Sequence, residues 1–378
     1  MESDVKDSAV VADKIRVMLV DDSPTVRGMN ARILDQADKI EIVASVSNGE
    51  LAVKRMDKGD IDLIILDIEM PVMDGLTAIP LLLAKNKRVK ILMSSTLTQR
   101  GAEVSLHALQ LGAADFVTKP STGVNNDSGM TIEEYRREII EKSLNLGTAA
   151  LKSRHSPSER PRSTFMPSAP GKPVRPLEVS ARKAPGIVAI GSSTGGPQAL
   201  LKVFKDLDKR INCPVVVTQH MPVHFTEILA KHINGIASMP CTEAKNGELL
   251  ESGHIYVAPG NFHMTIKADG ARHRISLNQD PPENFCRPAV DPMFRSVAEC
   301  FGKRALCVVL TGMGKDGASG SEAVVKAGGS VVAQDEETSV VWGMPGAVHR
   351  TGVCSALLPI SNVATYINNA ARVNSHDA

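Results

Sequence analysis

The chain has 378 residues, about two and a half typical domain lengths, so two domains and an additional segment are expected. Its 43% hydrophobic and 22% charged residues can build buried cores, and Lys+Arg 43 against Asp+Glu 42 leaves a net charge of +1, which gives no support to a nucleic-acid or anionic-membrane partner. There is no apolar run of the ~18 residues a membrane span needs, and the acidic start Met1-Glu-Ser-Asp-Val-Lys-Asp7 is unlike a secretory signal, so a cytoplasmic protein without membrane insertion is expected.

Short apolar runs and helix-like stretches alternate at the start of the chain. Arg16-Val-Met-Leu-Val20, Ile40-Glu-Ile-Val-Ala44, Asp62-Leu-Ile-Ile-Leu66, Val89-Lys-Ile-Leu-Met93 and Ala114-Asp-Phe-Val-Thr118 predict a doubly wound, five-stranded parallel α/β sheet over residues 14–133, after an N-terminal extension 1–13. Ser23 is placed to cap the first helix, with Pro24 in its first turn. A helix is predicted from Ile132 to Leu146, opening a segment 134–185. Its later part, Lys152 to Pro185, has seven prolines, eight Lys/Arg and two Glu, too little apolar surface to offset ordering entropy. It reads as a flexible basic tether of charge +6, which leaves −5 for the rest of the chain.

The α/β pattern resumes over 186–372, before a short tail 373–378. Ile187-Val-Ala-Ile190, Val215-Val-Val-Thr-Gln219, His254-Ile-Tyr-Val-Ala258, Leu306-Cys-Val-Val-Leu-Thr311 and Ser330-Val-Val-Ala-Gln334 predict buried parallel strands. All six cysteines lie in this part, without a zinc-like spacing, and read as free core thiols.

In open α/β sheets the ligand site forms at the carboxyl ends of the strands. In the first domain that rule gathers Asp21 and Asp22, Asp67, the hydroxyls Ser94-Ser95-Thr96, and Lys119. Singly, such acids are often helix caps and such a lysine a solvated charge. Together, clustered carboxylates call for a hard cation such as Mg²⁺, beside which a carboxylate can attack a phosphoryl group. The set Leu19-Val-Asp-Asp-Ser-Pro24, Leu66-Asp-Ile-Glu-Met-Pro-Val-Met-Asp-Gly75 and Phe116-Val-Thr-Lys-Pro120 resembles the response-regulator receiver domains. The resemblance implies a flavodoxin-like fold with Asp67 as phosphoacceptor and a histidine kinase as phosphodonor. It further implies Mg²⁺ held by Asp21, Asp22, Asp67 and the Glu69 carbonyl, Lys119 on the phosphoryl oxygens, Ser95 as switch hydroxyl and Phe116 as switch aromatic. Ser94 and Thr96 remain alternatives to Ser95.

In the second domain Gly191-Ser-Ser-Thr-Gly195 follows a strand and precedes a helix expected to open at Pro197. It fits G-x-S-x-G, a turn that exposes a nucleophilic serine, although a structural turn or a phosphate cradle would fit equally. A serine needs a base and a group to orient that base. Ser193, His220 and Asp316 all fall at carboxyl ends of predicted strands, with His263 as second-choice base, whereas His224, His232 and His254 lack that placement. The order Ser…His…Asp differs from that of α/β-hydrolases. Gly312-x-Gly314-x-x-Gly317 also fits a dinucleotide fingerprint with Asp335 downstream, but Asp316 inside that turn would repel a pyrophosphate.

Ala189-Ile-Gly-Ser-Ser-Thr-Gly-Gly196, Thr218-Gln-His-Met-Pro222, Tyr256-Val-Ala-Pro-Gly260, Arg287-Pro-Ala-Val-Asp291 and Leu310-Thr-Gly-Met-Gly-Lys-Asp-Gly317 resemble the catalytic domain of the chemotaxis protein-glutamate methylesterases, the CheB family. The resemblance implies Ser193 as nucleophile, His220 as general base, Asp316 as orienting carboxylate and the Met313 N–H as oxyanion donor, without a cofactor in this domain. It also implies phosphorylation-activated hydrolysis of glutamate methyl esters on methyl-accepting chemotaxis receptors, with glutamine deamidation as a second activity. A response regulator whose C-terminal domain only binds receptors is the alternative. A DNA-binding output is disfavoured by the absence of a helix-turn-helix pattern.

Overall fold

The computed structural model describes residues 13–120, 131–155 and 184–372. The expected tail, nearly all of the N-terminal extension and most of the tether lie outside the described residues. The chain divides into two compact units, each with its own parallel sheet. No helix among the described residues is long and apolar enough to cross a membrane.

Over the first stretch the elements are β1 (Ile15–Val20), α1 (Pro24–Leu34), β2 (Ile40–Val46), α2 (Gly49–Arg55), β3 (Leu63–Asp67), α3 (Gly75–Lys85), β4 (Lys90–Ser95), α4 (Gln99–Gln110), β5 (Asp115–Thr118) and α5 (Ile132–His155). The strands pair in parallel in the order β2-β1-β3-β4-β5, the flavodoxin-like doubly wound fold expected. The order reverses between β1 and β3, so a crevice opens at their carboxyl ends. Ser23 caps α1, its hydroxyl accepting from Val26 N at 3.4 Å, and Pro24 takes the first turn.

Helix α5 corrects one expectation, running to His155 rather than stopping at Leu146, so the first tether residues are helical. Tyr135, Ile139, Ser143, Leu146 and Ala150 are all buried at helical spacing, and the first proline after them is Pro157, so both the buried face and the absence of a breaker favour continuation.

The second unit carries β6 (Ile187–Ser192), α6 (Gly196–Lys205), β7 (Val215–Gln219), α7 (Phe225–Ile236), β8 (Cys241–Glu243), β9 (Ile255–Val257), β10 (His263–Asp269), β11 (Arg272–Asn278), α8 (Val290–Phe301), β12 (Ala305–Val309), α9 (Ala318–Lys326), β13 (Ser330–Gln334), α10 (Met344–Thr351), β14 (Ala356–Leu358) and α11 (Ile360–Arg372). Seven strands pair in parallel in the order β14-β13-β12-β6-β7-β9-β8. All five expected strands are among them, with ends displaced by a residue or two. The sequence reading lacked the three-residue edge strands β8 and β14 and the antiparallel hairpin β10-β11. The two-residue tip Gly270-Ala271, with Gly270 at φ 59° in its first position, was the available signal.

From β6 the chain steps outward through β7, and from β12 it steps the other way through β13. The switch point therefore lies at the carboxyl ends of β6 and β12. Helix α8 packs Val290, Phe294 and Val297 into the core with Met264 and Ile266 of the hairpin and Ala189 of β6, which fixes the start of α8 beside that switch point.

Candidate functional site

Ser193 follows β6 on the strand-to-helix turn. Its N donates to Thr311 O at 3.1 Å, and its carbonyl accepts from Gly196 N at 2.7 Å and from Gln219 Nε2 at 3.0 Å. The preceding Ser192 is fully buried and donates to Gln219 Oε1 at 2.7 Å, whereas Ser193 is half-buried. Neighbouring residues at a strand end face opposite ways, so the turn commits one serine to packing and leaves the other on the rim. Helix α6 opens at Gly196, one residue before the expected Pro197.

Met313 is brought close by Gly312. A Cβ on Gly312 would lie 2.9 Å from Ser193 Cβ and 2.4 Å from Met344 Sδ, so only glycine lets this backbone pass so near the serine. Gly343 N and Met344 N donate to Gly312 O at 3.0 and 2.8 Å and hold the turn from behind.

His220 directly follows β7 and is tied to the serine strand by its N donating to Ser192 O at 3.1 Å. Its Nε2 donates to Asp316 Oδ2 at 2.7 Å, with the side chains only 10% and 1% exposed. Asp316 Oδ2 also accepts from Val290 N at 2.6 Å, and Oδ1 accepts from Asp291 N, Gly317 N and Asn284 Nδ2 at 3.0, 3.0 and 3.1 Å. Val290 and Asp291 open α8, whose own N-cap residue, Ala289, supplies no side-chain cap. Asp316 thus caps α8 across the fold, where the helix end favours a negative charge. Burial pushes the Asp316 carboxyl up, but His220 and the α8 amides outweigh it and hold the group below the usual carboxylate range.

The favour is returned one helix along. Asp291 Oδ1 accepts from Gly320 N at 2.6 Å in the first turn of α9, which likewise lacks a side-chain cap of its own. Burial first, and then the neighbouring Asp316 charge, push the Asp291 carboxyl up. Asn284 bridges the two acids, donating to each at 3.1 Å.

The other histidine candidate is excluded by its contacts. His263 is 1% exposed, Ala289 N donates to its Nδ1 at 3.2 Å, and its Nε2 lies 3.2 Å from Pro281 O. Both ring nitrogens serve the backbone. The dinucleotide reading is not supported either, because the first turn of α9, where a pyrophosphate would sit, already donates to the Asp291 carboxylate through Gly320 N at 2.6 Å.

In the first unit Asp21, Asp22 and Asp67 offer oxygens all within 4.8 Å of one another. Lys119 Nζ reaches 3.0 Å from Asp21 Oδ2 and 2.8 Å from Asp67 Oδ1. Burial holds the Asp67 carboxyl above the usual carboxylate range despite Lys119. Asp67 Oδ1 also accepts from Ile68 N at 2.8 Å, and Gly75 N donates to Ile68 O at 2.9 Å. A Cβ on Gly75 would come 2.2 Å from Asp67 O, which accounts for the Asp-Gly that closes the Asp67 motif. Ser94 and Ser95 are both buried and Thr96 is exposed; Ser95 O accepts from Lys119 N at 2.6 Å. Phe116 is buried, with Lys142 Nζ 5.2 Å from its ring centroid. Glu69 is exposed two residues beyond Asp67, and the role expected for it is that of a carbonyl.

Asp21, Asp22, Asp67 and Lys119 are therefore together, and so are His220 and Asp316, with Ser193 on the same rim. Missing from the sequence reading were Gln219, Asn284 and Cys286. Gln219 had a signal in its position between strand and histidine, whereas Asn284 and Cys286 lie in an irregular loop that shows no period.

Residues 17–125 match the family model for the response regulator receiver domain, and residues 188–367 match that for the CheB methylesterase. The chain is similar to a protein-glutamate methylesterase/protein-glutamine glutaminase 1 of Rhodospirillum rubrum, 48% identical over 96% of this chain and 97% of that protein. A counterpart of the same description from Paramagnetospirillum magneticum is 47% identical over 95% and 97%. Among solved structures, the Thermotoga maritima CheB methylesterase catalytic domain is 39% identical, covering 50% of this chain and 99% of that one with a TM-score of 0.48.

Proposed function

The chain belongs to the CheB methylesterase family, and from that we propose that it hydrolyses glutamate methyl esters on chemotaxis receptors, under control of phosphorylation at Asp67. The observation that carries the catalytic half is the buried 2.7 Å pair of His220 and Asp316 on the rim that holds Ser193. Ser193 Oγ attacks the ester carbonyl while His220 takes its proton. Because Nε2 is committed to Asp316, Nδ1 is the nitrogen that receives it. The Met313 N–H, held beside Ser193 by Gly312, donates to the oxyanion. His220 returns the proton to departing methanol, and water then releases the glutamyl acyl group. The same attack on a glutamine side chain expels ammonia, the second activity in the relatives' names.

The three carboxylates of the first unit form an oxygen-only donor set that suits Mg²⁺. Asp21, Asp22, Asp67 and the Glu69 carbonyl would hold it. Bound there, the ion neutralises charge on an incoming phosphoryl group. Asp67 is the nucleophile toward a phosphohistidine of a kinase, Lys119 pairs with the phosphoryl oxygens, and Ser95 and Phe116 carry the change outward. Asp67→Asn is expected to abolish labelling by a radioactive acyl phosphate; retained labelling would move the phosphoacceptor elsewhere.

The deciding experiment is methanol release from methylated receptor membranes, with and without a small acyl phosphate. Release stimulated about 5-fold or more by the phosphodonor is expected. No release under either condition would leave a domain that binds receptors without hydrolysing them.

A further inference from the structure

The turn from Glu283 to Cys286 makes a second approach to the His220–Asp316 pair. Cys286 N donates to Glu283 O at 2.9 Å, and both residues between them are left-handed, Asn284 at φ 51° and Phe285 at φ 64°. Two successive positive φ angles are what a type I′ turn requires. Asparagine tolerates that backbone, but phenylalanine has no preference for it, so the conformation is imposed by what the turn holds.

It is held on several sides. Asn284 Nδ2 donates to Asp316 and Asp291, and Arg295 Nη1 donates to Glu283 Oε2 at 3.0 Å. At the end of the turn Cys286 Sγ stands 3.3 Å from His220 Nδ1. That is the one ring nitrogen not taken by Asp316, and hence the one through which His220 would act on Ser193.

We propose that Cys286 is a positioning residue of the esterase reaction, its sulfur orienting the His220 ring from the Nδ1 side. The proposal rests on His220 being the base for Ser193. The groups facing His220 are Cys286 at Nδ1 and Asp316 at Nε2, with Asp291 behind Asp316 across Asn284. The Glu283–Arg295 pair lies at the start of the same turn. Burial lowers the His220 pKa, yet the Cys286 sulfur and the Asp316 carboxylate together outweigh burial and raise it to about 10. An imidazolium cannot accept the serine proton, so kcat/KM rises with pH as Nδ1 is freed. The sulfur sets part of where that rise occurs.

The test is the pH profile of methanol release by the full-length chain, pre-treated with acyl phosphate, in wild type, Cys286→Ala and Cys286→Ser. The serine variant keeps the volume nearly unchanged and guards against a packing defect. Both variants lose the sulfur, so the rising limb of kcat/KM is expected to move to lower pH by about one pH unit or more. Alkylation supplies a second readout. Iodoacetamide bonds its carbon to the Cys286 sulfur as iodide leaves and the thiol proton passes to buffer, which puts an amide group against Nδ1. Wild type is expected to lose most of its activity and Cys286→Ala to keep its own. A rising limb at the wild-type pH in both variants, or equal iodoacetamide sensitivity in wild type and Cys286→Ala, overturns the proposal and leaves the esterase reading intact. No methanol release by the wild-type chain overturns the esterase reading itself, and the proposal with it.

Discussion

Ser193→Ala is expected to lower methanol release by about 10⁴-fold or more, because the oxyanion donor and substrate binding alone recover only a small part of triad catalysis. That loss corresponds to about 5.5 kcal/mol of transition-state stabilisation. The fold should scarcely register it. The contacts that hold Ser193 in the turn run through its backbone N and O to Thr311, Gly196 and Gln219, and alanine keeps all of them. Thermal unfolding of this variant should stay within about 0.5 kcal/mol of wild type. The neighbouring serine predicts the opposite balance. Ser192→Ala removes the buried hydroxyl that donates to Gln219 Oε1 at 2.7 Å and leaves that acceptor unpaired, at a cost of about 1–3 kcal/mol, with a much smaller loss of rate. Methanol release and thermal unfolding measured on both variants separate the two serines; full activity in Ser193→Ala would end its assignment as nucleophile.

Asp316→Ala should fail on both counts. It strips the counter-charge from His220, whose orientation and protonation on Nε2 then go undefined, with an expected loss of about 10⁴-fold in kcat. It also removes the acceptor for Val290 N and Asp291 N at the start of α8. Breaking a buried pair while leaving one partner behind costs about 3–5 kcal/mol, which should appear as a clear fall in Tm. A variant with lost activity and unchanged Tm would show that the capping contacts carry little of the stability of α8.

The sequence was legible where the fold is built from parallel strands. A strand buried on both faces reads as an uninterrupted apolar run, and β7 and β13 have the same limits in sequence and structure. Once the runs are located, the carboxyl-end rule names the residues that meet: Asp21, Asp67 and Lys119 follow from it, and so do His220 and Asp316. Partners that arrive sideways were not legible. Asn284 and Cys286 reach the pair from an irregular turn, and a cap donated across space, like that of Asp316 to α8, leaves no local spacing to find. Ser192 and Ser193 are chemically alike; the G-x-S-x-G spacing pointed to Ser193, and the alternation at the end of β6 is the physical reason it is the one left on the rim. The continuation of α5 past Leu146 was readable in the spacing of Leu146 and Ala150 but was obscured by the proline-rich segment after it.

The crossed caps of Asp316 on α8 and Asp291 on α9 limit how activity can be regulated. Asp316 accepts from five donors at once, on His220, Val290, Asp291, Gly317 and Asn284, so weakening its grip on His220 would require unseating the start of a core helix. A signal worth a few kcal/mol, as regulatory couplings are, is too small for that. The His–Asp pair is therefore expected to stay the same whether or not Asp67 carries a phosphoryl group. On the function proposed above, a phosphoryl group on Asp67 would be expected to change admission of substrate rather than the His220–Asp316 pair, an effect on the encounter and not on the chemistry.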